Sequence, residues 1–170
     1  MTLDILCARC ACVQKTCCQD SEIFVTLGDV ARIREHTGAD TFWQYAVPTD
    51  PVYLNEHDDP IWMENAFQPD GTRRVLRKMP NDDCTFLTSS GCCLPLEVRP
   101  LVCRLYPYDY TADGLKPEPA SGCPRQLLRD GESVFEAVGA ERESALRWHR
   151  MLYDELLQER PQTRTAGRCE

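Results

Sequence analysis

The chain has 170 residues, enough for one ordinary domain with its own core and too many to need disulfide staples. Its 27 acidic residues outnumber 19 basic ones, for a net charge of -8, and 42% of the residues are hydrophobic. That balance excludes a general electrostatic footprint for nucleic acid, argues against wholesale disorder and favours cations as partners.

Residues 1–6 show neither a basic stretch nor a sustained apolar run, and no apolar segment of about 18 residues follows. We therefore expect no secretory signal, no membrane span and a reducing, cytoplasmic setting. In such a compartment closely grouped cysteines hold metal or do redox chemistry more often than they form structural disulfides. Residues 7–18 hold Cys7, Cys10, Cys12, Cys17 and Cys18 without helical or strand periodicity, and read as a ligand loop.

Ile23, Phe24 and Val25 form a short β-prone run. Thr26 with Asp29 three positions on is the signature of an N-cap, predicting a helix through Val30, Ile33 and Arg34 that stops at Gly38. Asp40 suggests a second short helix through Phe42, Trp43 and Tyr45, ending before Pro48. The pair is better read as core helices than as a DNA reader, given the acidic charge.

Residues 48–72 carry Pro48, Pro51, Pro60, Pro69 and Gly71 among many acids and read as an irregular connection. His57 with Asp58 and Asp59 could supply a nitrogen or oxygen ligand there, although most loop charges are simply solvated. Strands are expected over residues 73–79 and 85–87, and a hairpin over residues 106–116 turning at Ala112, Asp113 and Gly114. Tyr106, Tyr108 and Tyr110 alternate, as on one face of a strand. Pro100 can open a short helix through Leu101, Val102, Arg104 and Leu105 that Pro107 ends.

From residue 124 the pattern is helical. Ala145, Trp148, Leu152 and Leu156 recur at spacings of three, four and four, one apolar stripe opposite Glu141, Glu143, Arg147 and Glu155. His149 sits one residue beyond the stripe and reads as a packing or surface histidine. The expected fold class is α+β, mainly helical with a small antiparallel sheet and a long C-terminal helix. We expect a single metal-stabilised domain over residues 1–160 and a flexible tail over 161–170 that holds Cys169.

A second group of five cysteines lies in residues 84–123: Cys84, Cys92, Cys93, Cys103 and Cys123. A tetrahedral zinc site needs four ligands, and a Cys-x2-Cys turn such as Cys7 with Cys10 offers two. Iron-sulfur clusters use the same four thiolates, so spacing does not separate the metals. The adjacent pairs Cys17-Cys18 and Cys92-Cys93 point neighbouring side chains apart in an extended chain. Each pair either serves two centres, pairs a ligand with a second thiol, or turns sharply. Cys12 and Cys92 are each read either as a ligand or as a small buried hydrophobe. Arg99 and Arg104, flanking Cys103, can donate to thiolates or to backbone carbonyls, or sit in surface ion pairs.

Taken together, Cys7-x2-Cys10, Cys17-Cys18, Val25-Thr26-x2-Asp29, Cys84-x-Phe86-Leu87, Cys93-x5-Arg99-Pro100-x2-Cys103-Arg104-x-Tyr106-Pro107 and Cys123-Pro124 resemble the CxxCxxCC cysteine-cluster family of the YkgJ type. That resemblance implies a zinc- or iron-chelating domain related to the cysteine-rich part of flagellin lysine methylases. It implies metal ligands at Cys7, Cys10, Cys17, Cys18, Cys84, Cys93, Cys103 and Cys123, with Cys12, Cys92 and Cys169 extra. The chain departs from the family pattern in its first motif, where six residues rather than two separate Cys10 from Cys17, so that Cys12 is a candidate to replace Cys10 or a member of the pair.

The leading expectation is a cysteine-cluster protein holding a zinc ion or an iron-sulfur cluster between the N-terminal segment and residues 84–123. An iron-sulfur redox or methyl-transfer enzyme, or an accessory subunit with a protein partner, is the alternative. No glycine-rich phosphate loop or Cys-His nucleophile spacing supports the enzyme. A metal-storage or delivery protein is a further reading, and a disulfide-built binding module ranks last because eleven cysteines is an odd number.

Overall fold

Thr26 and Asp29 cap one another at the start of a helix. In the computed structural model, which describes residues 6–13, 17–54, 58–121, 123 and 125–159, the Thr26 Oγ1 accepts from Asp29 N and the Asp29 carboxylate accepts from Thr26 N. Two orphan N–H groups are thereby satisfied at the start of a helix over Leu27–Thr37. Gly38 ends it with φ 71°, a left-handed conformation that lets its N–H reach Arg34 O. The sequence expectation for this helix holds at both ends.

The helices in chain order are α1 (Leu6–Val13), α2 (Cys17–Asp20), α3 (Leu27–Thr37), α4 (Pro60–Ala66), α5 (Leu101–Leu105), α6 (Val134–Val138) and α7 (Arg142–Gln158). The strands are β1 (Trp43–Ala46), β2 (Arg73–Leu76), β3 (Leu87–Thr88), β4 (Gly91–Cys92), β5 (Tyr108–Thr111) and β6 (Gly114–Pro119). They pair as three antiparallel ribbons, β1 with β2, β3 with β4 and β5 with β6. The α+β class and the long C-terminal helix stand as expected, with several two-stranded ribbons among the described residues in place of one small sheet.

Two apolar clusters share the interior. Ala145, Trp148, Leu152 and Leu156, the stripe of α7, are all buried and pack with Phe24, Trp62, Leu101 and Leu105 in the first. The second gathers Ile23, Val25, Val30, Ile33, Phe42, Leu76, Cys84 and Leu94. Residues 23–25 run extended beside β2, with Val25 N bonded to Arg74 O and Leu76 N to Ile23 O. Side chains of an extended chain alternate, so Phe24 enters the first cluster while Ile23 and Val25 enter the second. Similarly, α5 gives Leu101 and Leu105 to the first and turns Cys103 toward the second.

Three expectations are corrected. Residues 6–13 and 17–20 are helical rather than a loop: Leu6 and Cys10, four residues apart, are buried on one face of α1. Residues 43–46 form β1 rather than a helix, because Trp43, Gln44, Tyr45 and Ala46 find strand partners at Leu76, Val75, Arg74 and Arg73. Asp40, read as a helix cap, instead pairs with Arg34. The third lies in the 48–72 connection, which contains α4; the Asp59 carboxylate accepts from Trp62 N at 3.0 Å and Pro60 fills the first helical position.

The tyrosine alternation is broken. Tyr106 caps α5, and β5 carries an irregularity between Tyr108, which is buried, and Tyr110, which is half-buried. His149 is a packing histidine as expected, its Nε2 2.7 Å from Thr111 O and its ring against Tyr153. His57, Cys169 and the 161–170 tail lie outside the described residues, as do the side chains of Cys12 and Cys17.

Candidate metal centre

Each half of the cysteine set is carried by elements fastened to the other half. On α1, Cys7 and Cys10 are three residues apart and so lie near one another on the helix surface. Arg9 holds that helix in place, donating to Leu127 O at 2.6 Å and to the Glu132 carboxylate at 3.1 and 3.2 Å. These bonds bring α1 to the chain just after Cys123. α2 is tied to the 78–84 turn: Cys84 N donates to Cys18 O at 3.2 Å, Lys78 Nζ to Gln19 O at 2.9 Å and Gln19 Nε2 to Asp83 Oδ1 at 2.6 Å. Cys18 is thereby laid beside Cys84.

Residues 84–94 fold back on themselves. Leu87 N donates to Cys84 O and Cys93 N to Phe86 O, each at 2.9 Å, and Leu87 pairs with Cys92 across β3 and β4. The backbone N–H groups of Phe86 and Leu94 also donate to the sulfurs of Cys84 and Cys92, in each case two residues on. Cys92 and the buried Leu94 face the second apolar cluster, and Cys93 between them is exposed. Alternation of an extended chain explains the difference.

Cys103 arrives on α5, whose first free N–H is capped from a distance. Leu101 N donates to Asp29 Oδ1 at 3.1 Å, so one carboxylate caps both α3 and α5. Asp29 is fully buried, and Arg32 reaches the same oxygen at 2.7 Å while bonding Glu155 at 2.6 Å. The two arginines flanking Cys103 bind carbonyls: Arg99 Nε donates to Leu94 O at 2.9 Å, and the buried Arg104 to Arg99 O at 2.7 Å and Glu97 O at 2.6 Å. These bonds fix the loop between Cys93 and Cys103.

Burial is the main influence on the thiols. It pushes Cys7 and Cys84 from an ordinary 9.0 up to about 11, and raises Cys92, Cys103 and Cys123 as well. Neighbouring thiols add to the rise: Cys123 and Cys18 act on Cys7, while Cys18, Cys84 and Cys92 act on Cys103. Against it, Arg99 lowers Cys7 and Cys92, and the Tyr106 side chain hydrogen-bonds Cys123.

The structure therefore collects thiols from α1, α2, the 84–94 turn, α5 and residue 123. Among the described residues no three Cys, His, Asp or Glu side chains stand ready to hold a metal ion as they are. The donor chemistry nevertheless fits: the gathered groups are soft thiols, the class that selects zinc and iron-sulfur centres. The sequence model of the CxxCxxCC family, described as a "putative zinc- or iron-chelating domain", matches residues 6–124. The chain belongs to that family. No curated protein and no solved structure matched it.

Of the adjacent pair, Cys92 faces the second cluster and Cys93 is exposed, yet Cys93 is near enough to act on both Cys84 and Cys92. The Val25-Thr26-x2-Asp29 stretch acquires a reason, since Asp29 joins α3 to the helix bearing Cys103. Sequence reasoning saw Asp29 as a local cap and missed that second bond, because Leu101 is remote in the chain. It also missed the contact of Tyr106 with Cys123, for which the spacing offers no signal. No helix among the described residues is long and apolar enough to cross a membrane.

Proposed function

We propose that the protein chelates zinc or iron through thiolates, joining the N-terminal helices to residues 84–123 around one buried site. The proposed donors are those the family pattern assigns, Cys7, Cys10, Cys17, Cys18, Cys84, Cys93, Cys103 and Cys123, with Cys92 as an inward-facing ninth. The observation that carries this reading is that Cys18 lies beside Cys84, more than sixty residues away in the chain, with Cys92 and Cys103 packed on the same apolar cluster. A cytoplasmic setting would keep those thiols reduced, and metal would supply the positive charge that a group of buried thiolates needs. Anaerobic purification followed by metal and acid-labile sulfide measurement is the test. Zinc without sulfide, or iron with stoichiometric sulfide, is the expected result. Protein that is folded, metal-free and unable to take up either metal would overturn the proposal.

The raised thiols set a pH dependence. Metal must displace protons, so affinity is expected to climb by about tenfold per pH unit for each ligand still protonated. Competition with a chromophoric chelator between about pH 6.5 and 8.5 measures that slope. The metal-free protein should respond with the opposite sign. The unfolded chain releases the Cys7 and Cys84 protons near 9.0 and the folded one near 11, so the native state binds more protons in between. Stability without metal should therefore fall as pH rises through that window, and denaturant titrations at both ends would show it.

A further inference from the structure

Cys18 and Cys84 lie more than sixty residues apart in the chain, yet they are joined backbone to backbone. Cys84 N donates to Cys18 O at 3.2 Å, and the residues beside them are bonded too, Gln19 Nε2 to Asp83 Oδ1 at 2.6 Å. Lys78 Nζ adds a third bond, to Gln19 O at 2.9 Å. With ordinary bond lengths, the first of these holds the two Cα atoms within about 7 Å of one another, the limit for joining two cysteines without moving the backbone. Three bonds outside the thiols thus fix how the two residues meet.

The thiols also share a space. Cys84 is buried in the second apolar cluster and Cys18 packs against it. Both line one cleft, whose walls include the buried Leu76 and the exposed Arg77 and Lys78. The exposed cations mark the side open to solvent, and the partly buried Cys18 is reached from there before the buried Cys84. Cys92 and Cys103 touch the same cluster from elsewhere, Cys92 held opposite Leu87 across β3 and β4 and Cys103 on α5.

We propose that Cys18 and Cys84 are a redox pair, a modification site that a hydroperoxide converts to a disulfide. With hydrogen peroxide, the Cys18 sulfur attacks one oxygen and the O–O bond breaks; the other oxygen leaves as water with the thiol proton, and Cys18 becomes a sulfenic acid. The Cys84 sulfur then attacks the Cys18 sulfur, the S–O bond breaks, and a second water carries off the Cys84 proton. The two thiols give up two electrons and the peroxide takes them. This linkage rests on its own geometry, whereas its consequence for metal rests on the chelating function above. One covalent bond withdraws two proposed donors together, yet it keeps α2 tied to the 78–84 turn, so that a reducing thiol restores both donors in place.

The test titrates the full chain, as purified without oxygen, with hydrogen peroxide. Remaining thiols are capped with iodoacetamide, and linked peptides are mapped by mass spectrometry, with fragment ions that separate Cys18 from Cys17 and Cys84 from Cys92 and Cys93. The link between Cys18 and Cys84 should exceed any other pairing by about tenfold, disappear with dithiothreitol, and fall by about tenfold when the oxidation is run in urea, where the fold no longer holds the pair together. Dimedone added during oxidation should label Cys18 and not Cys84. The unmodified protein gives every one of these readings, so none depends on a variant folding. Links spread evenly over the cysteines, a dominant link that omits either residue, a yield indifferent to urea, or dimedone on Cys84 in place of Cys18 would overturn the pair. Zinc or iron should be released in step with the link, as read by a chromophoric chelator. Metal kept by chains that carry the link would remove Cys18 and Cys84 from the donor set while supporting the pair, and a chain that forms the link but takes up neither metal would overturn chelation alone.

Discussion

Stripping the metal with a strong chelator should release α1, α2 and the 84–94 turn while α7 stays folded. Those three elements are short, and their own backbone bonds are few. α1 spans eight residues and α2 four, below the length at which a helix sustains itself in water. The ribbon inside the turn from Cys84 to Leu94 is two residues a side, Leu87 with Cys92 and Thr88 with Gly91. Metal binding contributes about 10–16 kcal/mol to folding in small zinc domains, more than such contacts supply. α7, by contrast, lays Ala145, Trp148, Leu152 and Leu156 into a cluster that contains no cysteine. Hydrogen exchange read by mass spectrometry should show peptides from residues 6–20 and 84–94 exchanging on the order of 100-fold faster after chelation. Peptides from α7 should change by less than about tenfold. Uniform acceleration would mean that the two clusters melt as one, and no change would mean that metal does not support the fold.

Asp29→Ala is expected to cost about 3–5 kcal/mol, measured by urea unfolding of the metal-loaded protein. The carboxylate is fully buried and accepts from Thr26 N, Leu101 N and the Arg32 guanidinium. Truncation leaves two buried N–H groups without an acceptor and Arg32 with Glu155 alone. Burial nevertheless raises the Asp29 carboxyl above its ordinary value, and the neighbouring Arg32 only partly opposes the rise. Its charge is thus a cost that the site tolerates, and its worth lies in accepting hydrogen bonds. Asp29→Asn, which keeps an acceptor oxygen, should cost about half as much or less. An Asn variant as damaged as the Ala variant would contradict this and place the value in the ion pair. Because Asp29 also starts the helix that bears Cys103, the Ala variant should bind metal more weakly.

Features read correctly from the sequence were those whose signal and partner lie close together. Thr26 with Asp29 needs three residues, and the α7 stripe needs its own period. The strand at residues 43–46 was misread because its partner, Arg73–Leu76, lies about thirty residues away while the Asp40 cap signal is adjacent. α1 hid for a related reason: among its described side chains Leu6 and Cys10 are the buried ones, and what it packs against comes from β4, α6 and the segment after Cys123. In the site, spacing to Arg99-Pro100 selected Cys93, since a motif records distance along the chain. Which face a residue occupies depends on the pairing of Leu87 with Cys92 and on Leu94 turning inward. That information is tertiary.

The anchoring of Arg9 has a bearing on where this domain should be cut. The family match closes at residue 124, yet the groups that steady α1 are Leu127 O and the Glu132 carboxylate, and the helix bearing Cys103 rests on α7. Both supports lie past the family's edge. The region that comparison outlines holds the cysteines of the two groups, whereas the elements that steady them reach further, into α7.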